Sequence, residues 1–223
     1  MAEFVIAFVV FIASHVVPAR TGLRDYLIGR LGRRIYLLLY SAVSILLLLW
    51  LIWAAAKAPH IGLWPTTGPT VVIVMVIMAV AAVLLACGAS RANPFSISFV
   101  GGPADLERPG ILALTRHPVL WALFLWALGH AITNGDLVGV VMFGAFALFC
   151  LISRPVLERR ARQQMSPAEF DRQVAVNCGP VMLRLRRALS VRFILELGTG
   201  LVLYALMLHF HGVLIGVDPM AYF

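Results

Sequence analysis

Charge is scarce in this chain, and that scarcity is its most informative feature. Only 13% of its residues are Asp, Glu, Lys or Arg, whereas 61% are hydrophobic and the mean hydropathy is +0.94. Soluble domains carry about twice that share of charge. A water-soluble enzyme and a disordered chain are both excluded. Cysteine is also rare. The three residues, Cys87, Cys150 and Cys178, are widely spaced and form no CxxC pair, so a disulfide scaffold, a redox dithiol and a cysteine zinc site are not expected. They read as small core residues near helix ends. HExxH and CxxCH motifs are absent as well, which argues against a zinc protease and against covalent haem attachment.

What remains is apolar sequence in long blocks. A bilayer core about 30 Å thick needs roughly 20 apolar residues of helix. Six blocks approach that length, near 2–18, 35–56, 70–88, 118–133, 137–153 and 193–215. The fold expected is therefore all-α, a polytopic membrane helix bundle of six transmembrane helices in a single domain over 1–223, with short amphipathic helices at its cytoplasmic face. Only Asn134-Gly135-Asp136 separates the fourth block from the fifth, which predicts a tight helical hairpin.

The basic residues orient the chain. Seventeen of the 18 are Arg, and all 17 fall in segments 20–34, 89–117 and 154–192; Lys57 alone lies on the other side. The net charge of +8 is thus a positive-inside signal and not a nucleic-acid surface. The expected setting is the lipid bilayer of a bacterial inner membrane, crossed several times, with both termini outside. The first apolar block lacks a basic leader and a small-residue cleavage site, so it is expected to remain as a helix.

Two of the basic segments predict helices. Leu23, Leu27 and Leu31 recur every four residues among arginines, as in a helix lying at the headgroups. Ser166-Pro167-Ala168-Glu169 reads as a capping box with proline in the first turn, and that helix should stop before Cys178-Gly179-Pro180. The linker 89–117 holds Asn93-Pro94, Gly101-Gly102-Pro103 and Pro109-Gly110 and cannot be helical throughout.

Titratable groups inside membrane helices are costly and point to function. Of six histidines, His60, His209 and His211 sit near the outer ends of their segments and read as interfacial. His15 ends a helical stripe of Phe4, Phe8 and Phe11. That stripe reads either as packing or as aromatic walls around an axial ligand. His117 and His130 flank the fourth block, about 140° apart around a continuous helix, so they do not address one metal from one face. Ala127, Gly129 and Ala131 leave room beside His130 for a partner helix or a bulky cofactor. Trp126, one turn earlier, is counted with that site. Two histidines on different helices would frame a b-type haem, held non-covalently, with Arg20 and Arg116 as cations for its propionates.

The segment FIASHVVPARTGLR (11–24), with Gly32, Tyr36 and Tyr40, resembles the amino-terminal signature of the NnrU family of membrane proteins. TRHPVLWALFLWALGHAITNGD (115–136) resembles the second NnrU signature. The resemblance is strongest over about 1–160. It implies a link to denitrification and nitric oxide metabolism, and a similarity to plant zeta-carotene isomerases, which use haem b to isomerise a cis double bond. It further implies His15 and His130 as axial iron ligands, with His117 as a further functional, catalytic histidine or a substitute ligand. The activity expected is isomerase or redox chemistry on a lipid-soluble small molecule. Two alternatives stand beside it. Arg116-His117-Pro118 followed by Glu158-Arg159 resembles isoprenylcysteine carboxyl methyltransferases, which use S-adenosylmethionine. A haem sensor or an assembly factor for nitrogen-oxide enzymes would need no substrate.

Overall fold

The computed structural model describes residues 1–222. Among the described residues nine α-helices run in order: α1 Ala2–Arg20, α2 Leu23–Leu31, α3 Arg33–Lys57, α4 Gly68–Ala89, α5 Pro118–Asn134, α6 Leu137–Gln164, α7 Pro167–Ala175, α8 Val181–Ala188 and α9 Val191–Ile215. There is no strand among the described residues, only an isolated bridge between Gly62 and Asp136. The protein is an all-α membrane helix bundle. Four helices, α3, α4, α6 and α9, are long and apolar enough to cross a bilayer. The helices at Ala2–Pro18 and Leu23–Leu31 reach that length only together, and the chain bends by 74° between them. The fourth block forms α5, a shorter apolar helix of 17 residues. The six expected crossings thus become four or five, with α5 at the lower limit of spanning length.

Local chemistry accounts for the boundaries. α1 continues through Pro18 and ends at Arg20. Pro69 and Pro118 sit in the first turns of α4 and α5, where a missing N–H costs nothing. Gly135 closes α5 at φ +59°, and a Cβ there would collide with the Trp64 carbonyl. Asp136 then accepts from the Val138 and Gly139 amides at 3.1 and 3.2 Å, satisfying the first free donors of α6. α6 outlasts its apolar block: it runs on through Pro155 into the arginine-rich stretch. The capping box at Ser166 forms as expected, its hydroxyl accepting from the Glu169 amide at 3.2 Å.

The contacts divide the chain into two compact units, one of Met1–Leu63 with Asp136–Met142 and the other of Trp64–Gly135 with Phe143–Phe223. In the first, α1 lies against α3. In the second, α4 is central and takes α5 on one side and α9 on another. Gly129 of α5 meets Met78 and Val74 of α4, so the room expected beside His130 is filled on that side by a helix. Cys87 and Cys150 are buried as expected, but Cys178 is exposed just beyond α7.

The linker before α5 is ordered by polar contacts. Arg91 donates from Nε to Glu196 Oε2 at 2.8 Å and from Nη1 to the Arg108 carbonyl at 2.6 Å. Glu196 Oε1 also accepts from Ser90 Oγ at 2.9 Å and Arg192 Nε at 3.0 Å. Asn93 bridges the Phe95 amide and the Arg116 carbonyl. This network fastens the linker to α9 and presents residue 117 at the head of α5.

Candidate functional site

The hairpin at Gly135 returns α6 beside the start of α5, and there it places Glu158 against His117. The imidazole is buried, with 2% of its side chain exposed, and its Nε2 lies 3.0 Å from Glu158 Oε1. Arg116 Nη2 lies 3.0 Å from the same oxygen. The Arg154 guanidinium sits 4.5 Å over the Trp121 ring nearby. His117 Nδ1 is buried with no hydrogen-bond partner. The bond to the carboxylate fixes the tautomer: Nε2–H donates, and Nδ1 carries the lone pair. Burial pushes the His117 pKa below its ordinary value; the Glu158 hydrogen bond opposes that shift, and the nearby arginines add to it. The arrangement is a neutral base whose orientation a carboxylate sets. The sequence reading named His117 and Arg116 but placed Glu158 only in the methyltransferase resemblance. The hairpin register was the signal that would have paired them.

His130 lies about 20 Å further along α5. Its Nδ1 is 2.8 Å from the Trp126 carbonyl, four residues back. The ring is half-buried and not fully enclosed. It stands 5.0 Å from both Trp126 and Phe143, and Trp126 meets Phe146 at 6.5 Å in a stacked pair. Trp126 is itself 38% exposed, so this aromatic patch opens on the outer face of the helices. A further ring, His211 of α9, has its centre 6.4 Å from that of His130. Arg116 is engaged by Glu158 and far down the helix, so the structure does not bring it to His130.

His15 belongs to the first unit. Its Nδ1 is 2.7 Å from the Phe11 carbonyl, again four residues back, and 3.1 Å from Ser14 Oγ. Its ring meets Phe11 at 4.4 Å and Tyr40 of α3 edge-on at 5.8 Å, while Tyr40 stacks on Tyr36. The expected stripe exists: Phe4 stacks on Phe8 at 5.9 Å, one stretch below the Phe11–His15 pair. Arg20 closes α1 and is exposed. His130 belongs to the second unit.

Among the described residues no group of three or more His, Cys, Asp or Glu side chains is placed to hold a metal ion. That fits neither a structural zinc site nor a carboxylate di-metal centre. The histidine chemistry does fit a haem iron. In both His15 and His130 a backbone carbonyl holds Nδ1, which leaves Nε2 as the lone-pair nitrogen, the state in which imidazole binds metal.

Apolar helices of spanning length, with imidazoles set among aromatic rings, define a polytopic helical membrane protein with titratable groups in its apolar segments. Within that class the chain belongs to the NnrU protein family, whose family model matches residues 3–219, nearly its whole length. No curated protein and no solved structure matches it.

Proposed function

We propose that this NnrU protein holds a b-type haem within the bacterial inner membrane, its termini outside, and acts on a lipid-soluble small molecule. The observation that carries this is the shared setting of His15 and His130: each imidazole is locked through Nδ1 to the carbonyl of an aromatic residue four positions back, leaving Nε2 for iron. His130 would supply one imidazole nitrogen to the iron, and for a second the resemblance to zeta-carotene isomerases implies His15. Trp126, Phe143 and Phe146 provide the apolar surface a porphyrin needs.

When bound, the haem supplies redox and Lewis-acid chemistry. The chain supplies position, a dry setting and a base. About 20 Å back along α5 from His130, His117 offers a neutral Nδ1 whose imidazole Glu158 orients through Nε2. Isomerisation of a double bond or a redox step linked to nitric oxide metabolism fits this equipment. A haem sensor or assembly factor shares the cofactor and lacks the turnover. The test is the reduced-minus-oxidised visible spectrum of the detergent-purified protein. Sharp ferrous bands that His130→Ala removes support the reading, and a colourless protein from haem-replete cells refutes it.

One observation favours a second reading. Arg116, His117 and Glu158 converge at the basic end of α5, as the methyltransferase resemblance implies. Calorimetric binding of S-adenosylmethionine to the wild type, lost in Glu158→Gln, would establish it.

A further inference from the structure

We infer that a cavity beside the head of α9 seats the head group of a zwitterionic phospholipid, with its phosphate on Arg91 and Arg192 and its ammonium on Asp105. This seat lies apart from the histidines and does not depend on the haem. The cavity, of about 150 Å³, lies between the linker and α9, and Arg91, Val100, Pro103, Asp105, Leu112 and Arg192 are in its wall. A single water needs about 10–15 Å³ of such space, so a group of several non-hydrogen atoms fits. A donor stands unused in that wall. The Arg91 side chain is 4% exposed and gives Nε to Glu196 and Nη1 to the Arg108 carbonyl. Its Nη2 is buried and has no hydrogen-bond partner among the described residues. A buried donor left unpaired is costly, and a ligand oxygen seated against this guanidinium removes the cost. Arg192 spends Nε on Glu196 and Nη2 on the Ser90 carbonyl, which leaves Nη1 for the same ligand.

Charge decides the class of ligand. Arg91 and Arg192 are matched by Glu196, which pairs with both, and by Asp105 across the cavity, so the formal charges cancel. A simple anion would bring a charge that nothing offsets, whereas a zwitterion brings none. Asp105 supplies the second pole. Its Oδ1 accepts from the Glu107 and Arg108 amides at 3.1 and 2.9 Å, which pins the carboxylate and leaves Oδ2 for a cation. A phosphodiester suits arginine donors, and an ammonium that keeps its N–H groups suits a carboxylate. Position points to a lipid. Arg192 stands in the first turn of α9, a helix long and apolar enough to cross a bilayer, so the cavity lies where head groups give way to acyl chains. Val191 and Leu195, four residues apart on one face of α9, are 76% and 66% exposed beside Arg192. Phe99, next to Val100 of the cavity wall, is 72% exposed. Bare apolar side chains flanking a polar seat fit the acyl chains of a diacyl phosphatidylethanolamine, which a free phosphate compound lacks.

The experiment is native mass spectrometry of the full chain in detergent, titrated separately with dioleoyl phosphatidylethanolamine, phosphatidylglycerol and phosphatidylcholine. Wild type is expected to take up one phosphatidylethanolamine about tenfold more tightly than either other lipid, the worth of one charge-assisted hydrogen bond. Asp105→Asn keeps the Oδ1 acceptor and removes the charge, so it should bring phosphatidylethanolamine down to the level of phosphatidylcholine. Arg192→Gln leaves Glu196 paired with Arg91 and should weaken phosphatidylethanolamine and phosphatidylcholine alike. Circular dichroism of each variant reports its helix content, and Asp105→Asn alone decides the matter if Arg192→Gln loses its fold. Wild type that binds phosphatidylglycerol as tightly as phosphatidylethanolamine overturns the assignment. So does a preference that survives Asp105→Asn, or displacement of the lipid by inorganic phosphate, which would mark a site for a free anion.

Discussion

Glu196 is a carboxylate in the second turn of an otherwise apolar helix, and replacing it with Gln removes the charge while keeping the volume. Arg91 would then keep at most a neutral hydrogen bond to the glutamine oxygen beside the Arg108 carbonyl, having lost the 2.8 Å ion pair. The side chains of Arg91 and Glu196 are 4% and 8% exposed, so water cannot take the place of the missing partner. Removing one member of such a buried pair costs about 3–5 kcal/mol. The second arginine on Glu196, Arg192, is 55% exposed and contributes little, about 0–1 kcal/mol. For a chain of this length the loss lowers Tm by roughly 6–20 °C. Arg91→Met should cost a similar amount, because it strands the carboxylate. The double variant Arg91→Met with Glu196→Gln removes both charges, and it should be more stable than the sum of the singles by about 1–3 kcal/mol. Thermal unfolding in detergent reads all four proteins. Additive losses, or a Glu196→Gln protein as stable as wild type, would refute the claim that this pair fastens the linker to α9.

Gly200→Ala should destabilise by about 1–3 kcal/mol, because the new Cβ would stand 2.5 Å from the Val83 Cα, and backbone cannot yield as a side chain can. Gly129→Ala meets chiefly the flexible end of Met78 and should cost less in the same unfolding assay. Ser166→Ala should cost about 1 kcal/mol of α7 stability, seen as faster amide exchange in that helix while α4 stays protected. The stability contributed by neutral His117 is fully present above its ordinary pKa of 6.5 and is lost as pH falls toward the depressed folded value. Tm measured from pH 8 to pH 5 should therefore fall more steeply in wild type than in His117→Gln; parallel curves would show that burial of His117 is not linked to its protonation.

The sequence was most transparent where a signal is local. Apolar runs located the long helices, the Ser166 box announced α7, and Gly135 marked the hairpin. The end of α6 was misjudged because hydropathy stops near residue 153, whereas the helix continues as a charged extension past the bilayer. The short length of α5 and the 74° turn after Pro18 lowered the number of clear crossings, since hydropathy measures apolar content and not direction. The contacts that build the site were hidden for a different reason. Arg91, just past α4, meets Glu196 only through the packing of α9 on α4, and His130 comes near His211 only because α5 and α9 both pack on α4. Nothing within either segment encodes that register. Glu196 still left a trace, because a carboxylate in an apolar helix demands a cation. His211 left none, for a histidine near a helix end fits the membrane interface equally well.

The central claim is that His130 helps to hold a haem. It is tested most directly by the haem-to-protein ratio of chain purified from haem-replete cells, determined as the pyridine adduct, for wild type and His130→Ala side by side. The account predicts a stoichiometric complement in wild type and a trace in the variant. Equal ratios in the two proteins, or wild type with no haem, would contradict it.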